Sequence, residues 1–212
     1  MQRILLVVRH GETDWNVANR WQGQSDTPLN DHGRAQAHAL AARLRGYALG
    51  GIVSSDLSRA RETAEIIAAA LDIPGVRLDV GLRERSFGCF EGLTGDECQA
   101  RHAEEWRAWR EDHKIPPGGE SSEALLARTS SAFERAARET ARDDVPGLVV
   151  THGGVIRAIV SAATGTRPPP IRNAELWQMV WDDRVVHAQA VDTDDDDSQA
   201  IATEMEVQQP PL

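Results

Sequence analysis

Leu5-Leu6-Val7-Val8-Arg9-His10-Gly11-Glu12 changes character at its midpoint. The first half is apolar and β-rich, as in a strand buried on both faces, and residues 2–8 read as that strand. The second half is a charged loop. A later stretch, Leu148-Val149-Val150-Thr151-His152-Gly153-Gly154, repeats the design: residues 147–151 form an apolar strand that stops at a histidine followed by glycine. Two such strands side by side would bring His10 and His152 face to face.

The segments between them alternate helix and strand. Ala37, Leu40, Ala41 and Leu44 recur at helical spacing within residues 33–45, and Leu57, Ala60, Ala64, Ile67 and Leu71 do so again before Asp72-Ile73-Pro74-Gly75 stops the run. Residues 51–54 form a short strand between these helices. A long helix is expected over 121–142 with Leu125, Thr129, Ala132, Phe133 and Ala136 inward, and a last helix over 155–164. A closing hairpin of 175–181 and 184–191 turns at Asp182-Asp183. Such alternation implies right-handed crossovers. The expected fold is a three-layer α/β/α sandwich around a mixed, mainly parallel sheet.

One domain spanning 1–191 accounts for this pattern, with a polar, helix-prone insertion at about 93–117 as a cap. Spacing of three lets Trp106 and Trp109 be core anchors for this insertion or walls of a pocket, and the mouth of a pocket is the reading preferred. Residues 192–212 turn acidic, with Asp194 to Asp197 in a row, and read as a solvated tail. The chain of 212 residues is long enough to bury one good core. Hydrophobic residues at 41% and charged residues at 26% are ordinary globular usage. No apolar run reaches the length of a membrane span or resembles a signal peptide. The two cysteines, Cys89 and Cys98, cannot form a disulfide framework, and a reducing cytosol is the expected compartment. The sequence leaves the oligomeric state open, with a homodimer through a sheet edge as one option.

A net charge of −10 argues against a nucleic-acid partner, because counterion displacement needs an excess of Lys and Arg. An acidic protein can still hold phosphate where a few cations and backbone N–H groups converge, since local field outweighs distant, screened charge. In an open α/β sheet that convergence is expected outside the carboxyl ends of the strands. His10 and His152 lie there, the helix after Gly154 offers its N-terminus, and Arg9 and Arg59 supply planar cationic forks suited to phosphoryl oxygens. Arg157 ranks below them, because its helix position leaves its direction open. Glu84, on a loop, could protonate a leaving alcohol.

These pieces resemble the histidine phosphatase superfamily, in its phosphoglycerate-mutase-like branch, over nearly the whole chain from Ile4 to about Trp181. The matching pieces are Arg9-His10-Gly11-Glu12-Thr13 with Asn16; Gln22-Gly23 with Asp26 and Pro28-Leu29; Ser54-Ser55-Asp56-Leu57-Ser58-Arg59-Ala60 with Thr63; Leu82-Arg83-Glu84; Gly88 with Phe90-Glu91-Gly92; Gly118-Gly119-Glu120-Ser121; and Thr151-His152-Gly153-Gly154. The resemblance implies that His10 attacks phosphorus to form a phosphohistidine. It further implies that Arg9, Arg59 and His152 hold the transferring oxygens, and that Asn16, Gln22, Gly23 and Gly153 belong to the phosphate site. Glu84 would then protonate the leaving group. A small phosphate ester is the implied substrate, with neither metal nor cofactor.

Hydrolysis and mutase chemistry share the phosphohistidine and differ in what receives the phosphoryl group. Mutases that resemble this chain carry a longer insertion after the Glu84 region, usually have Asn where Gly154 stands, and commonly Tyr where Phe87 stands. Here the insertion is short, and Arg101, Arg107, Arg110 and Lys114 are diluted by Glu104, Glu105, Glu111 and Asp112. Phosphomonoester hydrolysis is therefore the expected activity, ahead of a mutase-type phosphotransferase and of a non-catalytic phospho-ligand module.

Blander readings exist for each piece. Arg9-His10-Gly11-Glu12 alone could be an ordinary charged loop. Asn16 and Gln22 could be turn residues, and Arg83 and Arg85 surface charges. Cys89 opens no Cys-x5-Arg loop, and the Asp run in the tail lacks the chain needed for aspartyl-phosphate chemistry. No metal-ligand spacing occurs. What argues for chemistry is that all the pieces occur together and in order.

Overall fold

The computed structural model describes residues 2–142 and 145–191; the expected acidic tail, 192–212, lies outside the described residues. Six strands form one sheet: β1 (Arg3–Arg9), β2 (Ile52–Ser54), β3 (Arg77–Leu78), β4 (Gly147–Thr151), β5 (Leu176–Trp181) and β6 (Val185–Ala190). Their order is β3-β2-β4-β1-β5-β6, with β1 to β4 mutually parallel and the β5/β6 hairpin antiparallel against β1. The helices are α1 (Asp14–Val17), α2 (Asp31–Leu44), α3 (Ser58–Ala70), α4 (Gly95–Arg101), α5 (Ala103–Asp112), α6 (Ser122–Thr140) and α7 (Gly153–Thr164). Two 3₁₀ turns, Val80–Leu82 and Gly88–Phe90, interrupt the loop between β3 and α4.

Strand alternation divides β1 between two cores. Leu5 and Val7 face α6 and α7, packing with Val53, Leu125, Phe133, Val149, Val155 and Ile159, while Leu6 and Val8 face α2 and α3, packing with Leu40, Leu44, Ala64, Ile67 and Val150. A central parallel strand buried on both faces has no polar side to show, which is why this run reads as continuously apolar. Helices thus cover both sheet faces, giving the three-layer α/β/α sandwich. The N-terminus of α2 packs tightly on the loop after β1: a Cβ on Gly33 would stand 2.1 Å from the Glu12 carbonyl oxygen.

The 93–117 segment folds as the short pair α4 and α5, started by a Thr94–Glu97 capping box. One expectation fails here. Trp106 and Trp109 do not line a pocket mouth; they are 9% and 1% exposed and stack edge to face with Trp21, Phe87 and Phe90 in a third, aromatic core. Spacing of three puts both rings on one helix face, and Trp21, from the loop after α1, supplies the surface that covers them. The 93–117 segment is therefore anchored to the body by aromatic packing.

Candidate active site

Register brings the two histidines together. Arg9 lies opposite Thr151 in the β1/β4 pair, so the next residues, His10 and His152, leave the carboxyl ends of adjacent strands. Their ring centroids are 5.2 Å apart. The His10 N–H donates to the Thr151 carbonyl at 2.9 Å, and the Asn173 side chain donates to the His10 carbonyl at 3.0 Å, fixing the backbone at the turn. Arg59 arrives in the first turn of α3, directly after β2, the strand on the other side of β4. Its guanidinium is fully buried: Nε donates to His10 Nε2 at 3.3 Å, Nη1 to the Ser25 carbonyl at 2.9 Å and Nη2 to the Gly23 carbonyl at 2.8 Å.

A backbone carbonyl sets the His10 tautomer. His10 Nδ1 donates to the Gly11 carbonyl at 2.7 Å, so its Nε2 carries the lone pair that Arg59 faces. On His152, Nε2 meets Ser55 Oγ at 2.9 Å, and Nδ1 is buried with no hydrogen-bond partner among the described residues. Ser55 Oγ also accepts the Leu57 N–H; with its hydroxyl proton given to His152 Nε2, Nδ1 is left to donate to any oxygen placed beside it. Burial, then Arg59, holds the His10 imidazole well below its usual range; His152 is lowered by burial, then by Arg59 and by His10. Both rings are neutral at physiological pH. Burial lowers Arg59 to about 10, so it stays a cation there. Arg9 lies close enough to depress both imidazoles, and its Nη1 donates to the Ile171 carbonyl. A neutral nucleophilic nitrogen beside permanent cations is suited to attack on an electrophile that carries negative oxygens.

Glu84 lies at the N-terminus of α7, the helix that His152 precedes. Its Oε2 accepts the Gly154 N–H at 3.0 Å and its Oε1 accepts the Arg85 N–H at 2.8 Å. The N-terminus of α7 thus already carries a carboxylate, and the Gly154 N–H expected for an anion belongs to Glu84. Gly153 starts that helix beside His152. Arg157 is buried within α7.

The remaining expected phosphate contacts have structural duties. Asn16 Oδ1 accepts from the Thr13 N–H and hydroxyl, closing the capping box of α1, and from Asn173. Gln22 Oε1 accepts the Thr27 hydroxyl at 2.7 Å, and Gly23 contributes through the carbonyl that grips Arg59. Arg83 is a bidentate partner of Asp56, and half-buried Arg85 donates to the Glu120 carbonyl, so neither is a bare surface charge.

Sequence reasoning gave no role to Glu91, which does as much as any residue to shape this region. Its carboxylate accepts from the Gln24 and Ser25 N–H groups, the Ser25 and Ser86 hydroxyls and the Phe87 N–H. It thereby folds the 23–25 loop whose carbonyls hold Arg59. Its place in Phe90-Glu91-Gly92 was visible; the loop it organises, 66 to 67 residues earlier, was not. Ser55, Asn173, Glu120 and Arg128 were likewise given no role.

Among the described residues no cluster of three or more His, Cys, Asp or Glu side chains could hold a metal ion, and no helix is long and apolar enough to cross a membrane. The chain matches the Histidine phosphatase superfamily (branch 1) over residues 5–191. It is 42% identical over 159 residues to a metal-independent phosphoserine phosphatase of Arabidopsis thaliana, covering 73% of this chain and 66% of that protein. It is 34% identical over 183 residues to a 2,3-bisphosphoglycerate-dependent phosphoglycerate mutase of Beijerinckia indica, covering 83% of this chain and 88% of that one. A solved mycobacterial glucosyl-3-phosphoglycerate phosphatase, in complex with VO3, superposes with a TM-score of 0.75 at 34% identity, covering 89% of this chain and 97% of that one.

Proposed function

This chain belongs to the histidine phosphatase superfamily, and from that premise we propose that it hydrolyses a small phosphorylated metabolite through a phosphohistidine on His10. The observation that carries the proposal is the pair of imidazoles 5.2 Å apart with the Arg59 Nε on His10 Nε2. The His10 Nε2 lone pair forms the N–P bond as the P–O bond to the alcohol breaks, and Glu84 gives its proton to the departing oxygen. Imidazole becomes cationic in this step, and the Nδ1–H bond to the Gly11 carbonyl steadies that charge. Arg9, Arg59 and the His152 Nδ1–H hold the phosphoryl oxygens, where charge is spread in the transition state. Water then attacks the phosphohistidine, Glu84 accepts its proton, and phosphate leaves with His10 restored. Asn16, through its amide nitrogen, and Gly153, at the start of α7, complete the phosphate site, while Gln22 and Gly23 serve it by shaping the loop that holds Arg59. No step needs a metal.

Phosphotransfer between hydroxyls of a phosphoglycerate is the competing activity. A second phosphate would need inward-facing cations in the cap, but Arg101, Arg107, Arg110 and Lys114 are all exposed, which supports hydrolysis. Residues 1–191 act in this reading as one catalytic domain. Free Cys89 and Cys98 thiols support a reducing, cytosolic setting. The edge strand β6, with Val186 44% exposed, is the surface on which a homodimer would form, and sedimentation checks that.

The test is phosphate release from a panel of phosphorylated metabolites, phosphoserine and glucosyl-3-phosphoglycerate first, with 3-phosphoglycerate plus 2,3-bisphosphoglycerate assayed for mutase activity. Turnover of at least one monoester with an acid-labile phosphoenzyme is expected. No turnover of these or of p-nitrophenyl phosphate, and no phosphoenzyme, would leave a binding module.

A further inference from the structure

A proton donor must sit within hydrogen-bond reach of the leaving oxygen, and small misplacements cost large factors in rate. Glu84, to which the reading above gives that task, belongs to no helix or strand: it lies between the two 3₁₀ turns. Its backbone is nevertheless held from outside. Arg128, on α6, donates through Nη1 to the Gly81 carbonyl at 3.0 Å and the Arg83 carbonyl at 2.6 Å, and through Nη2 to the Glu84 carbonyl at 2.9 Å. Nη2 and Nε also donate to the two Glu120 carboxylate oxygens, at 2.7 and 2.6 Å. A guanidinium has five N–H donors, and these bonds use all of them. Arg128 has none left for a substrate; its charge also bears on His152, and a charge-conserving substitution separates that influence from its grip on the loop. The Glu120 carbonyl meanwhile accepts Arg85 Nε at 2.8 Å, fastening the far side of Glu84 to the segment that leads into α6.

The carboxylate itself is fixed against α7 by the N–H groups of Arg85 and Gly154. A Cβ on Gly154 would lie 2.4 Å from Glu84 Oε1, closer than real contacts allow, so only glycine lets the carboxylate rest there. We infer that Arg128, anchored by Glu120, is the positioning residue for the Glu84 proton donor, and that Gly154 is the small residue that seats its carboxylate. The inference rests on Glu84 being the donor.

A poor leaving group needs the proton in the transition state, whereas p-nitrophenolate departs largely without it. The measurement is therefore the ratio of kcat/KM for p-nitrophenyl phosphate to that for phenyl phosphate, two esters of nearly equal size. Glu84→Gln sets the full change in this ratio. Arg128→Lys, which cannot span the same carbonyls, should raise the ratio roughly tenfold, a part of the roughly 10²–10⁴-fold typical of acid–base catalysis. Gly154→Ala should raise it in the same direction, since its methyl would push the Glu84 carboxylate off the Gly154 N–H. A purely structural role for Arg128 would lower both substrates together and leave the ratio unchanged, and that result overturns the inference. Should Arg128→Lys fail to fold, Glu120→Gln reads the same ratio through the anchor. If Glu84→Gln itself leaves the ratio unmoved, the donor assignment fails first; if it moves the ratio and the Arg128 and Glu120 variants do not, only the positioning role fails.

Discussion

Acidification below pH 6.5 should destabilise this protein along a slope set by His10 and His152. Both rings are buried, 3% and 0% exposed, and both are held well below the usual value of 6.5, first by burial and next by Arg59. In the unfolded chain each takes up a proton as the pH passes 6.5; in the folded chain each stays neutral until the pH reaches its lowered value. Within that window the unfolded state binds more protons, so the stability present above pH 6.5 is lost as the pH falls. One unit of pKa difference is worth about 1.36 kcal/mol, so the two rings together remove up to about 2.7 kcal/mol for each pH unit. For a domain of this size that is roughly 5–10 °C of Tm per unit. Carboxylates add their own slope, so the assay is a difference: thermal or urea unfolding from about pH 5 to 7.5 for the wild type and for the His10→Asn/His152→Asn double variant. The two stability curves should run parallel above pH 6.5 and diverge below it, the wild type falling faster. Equal slopes below pH 6.5 would refute the claim that the histidines are buried as neutral rings.

His10→Ala should abolish turnover and the acid-labile phosphoenzyme together; phosphoenzyme persisting in that variant would move the nucleophile elsewhere. Arg59→Met should cost several powers of ten in kcat/KM and bring the remaining acid limb of the pH profile to higher pH, because a cation that depresses His10 is gone. Gly33→Ala should destabilise by about 1–3 kcal/mol in urea melts, since its Cβ meets backbone that cannot swing aside. Trp109→Ala should cost about 3–5 kcal/mol by opening a cavity in the aromatic core under the cap; a loss of substrate affinity with unchanged stability would instead return this ring to the pocket. Prolonged dialysis against EDTA should leave activity intact, and rescue by added magnesium or zinc would refute metal-independent transfer.

The arrangement answers how a chain of net charge −10 can bind an anion. The surface charge is acidic and screened, whereas Arg59 and Arg9 act at short range on a buried site where two neutral imidazoles add no competing charge.

Periodicity is a local property, so the sequence carried the elements. The apolar β1 and β4 runs, the helical spacing of Leu40 and Leu44 or Ala60 and Ala64, and the Asp182-Asp183 turn each follow from residues within a few positions of one another. The layered fold followed from their alternation, and the resemblance in motif order named His10, Arg59, Glu84 and His152. Tertiary structure alone decided what depends on pairs distant in the chain. Arg128 reaches carbonyls 44 to 47 residues away, and Asn173 reaches His10 across 163. No local pattern distinguishes such an arginine or asparagine from one on the surface. The tryptophans of α5 make the same point: spacing fixed that both share one face, but only the arrival of Trp21 from another loop turned that face into core rather than pocket wall.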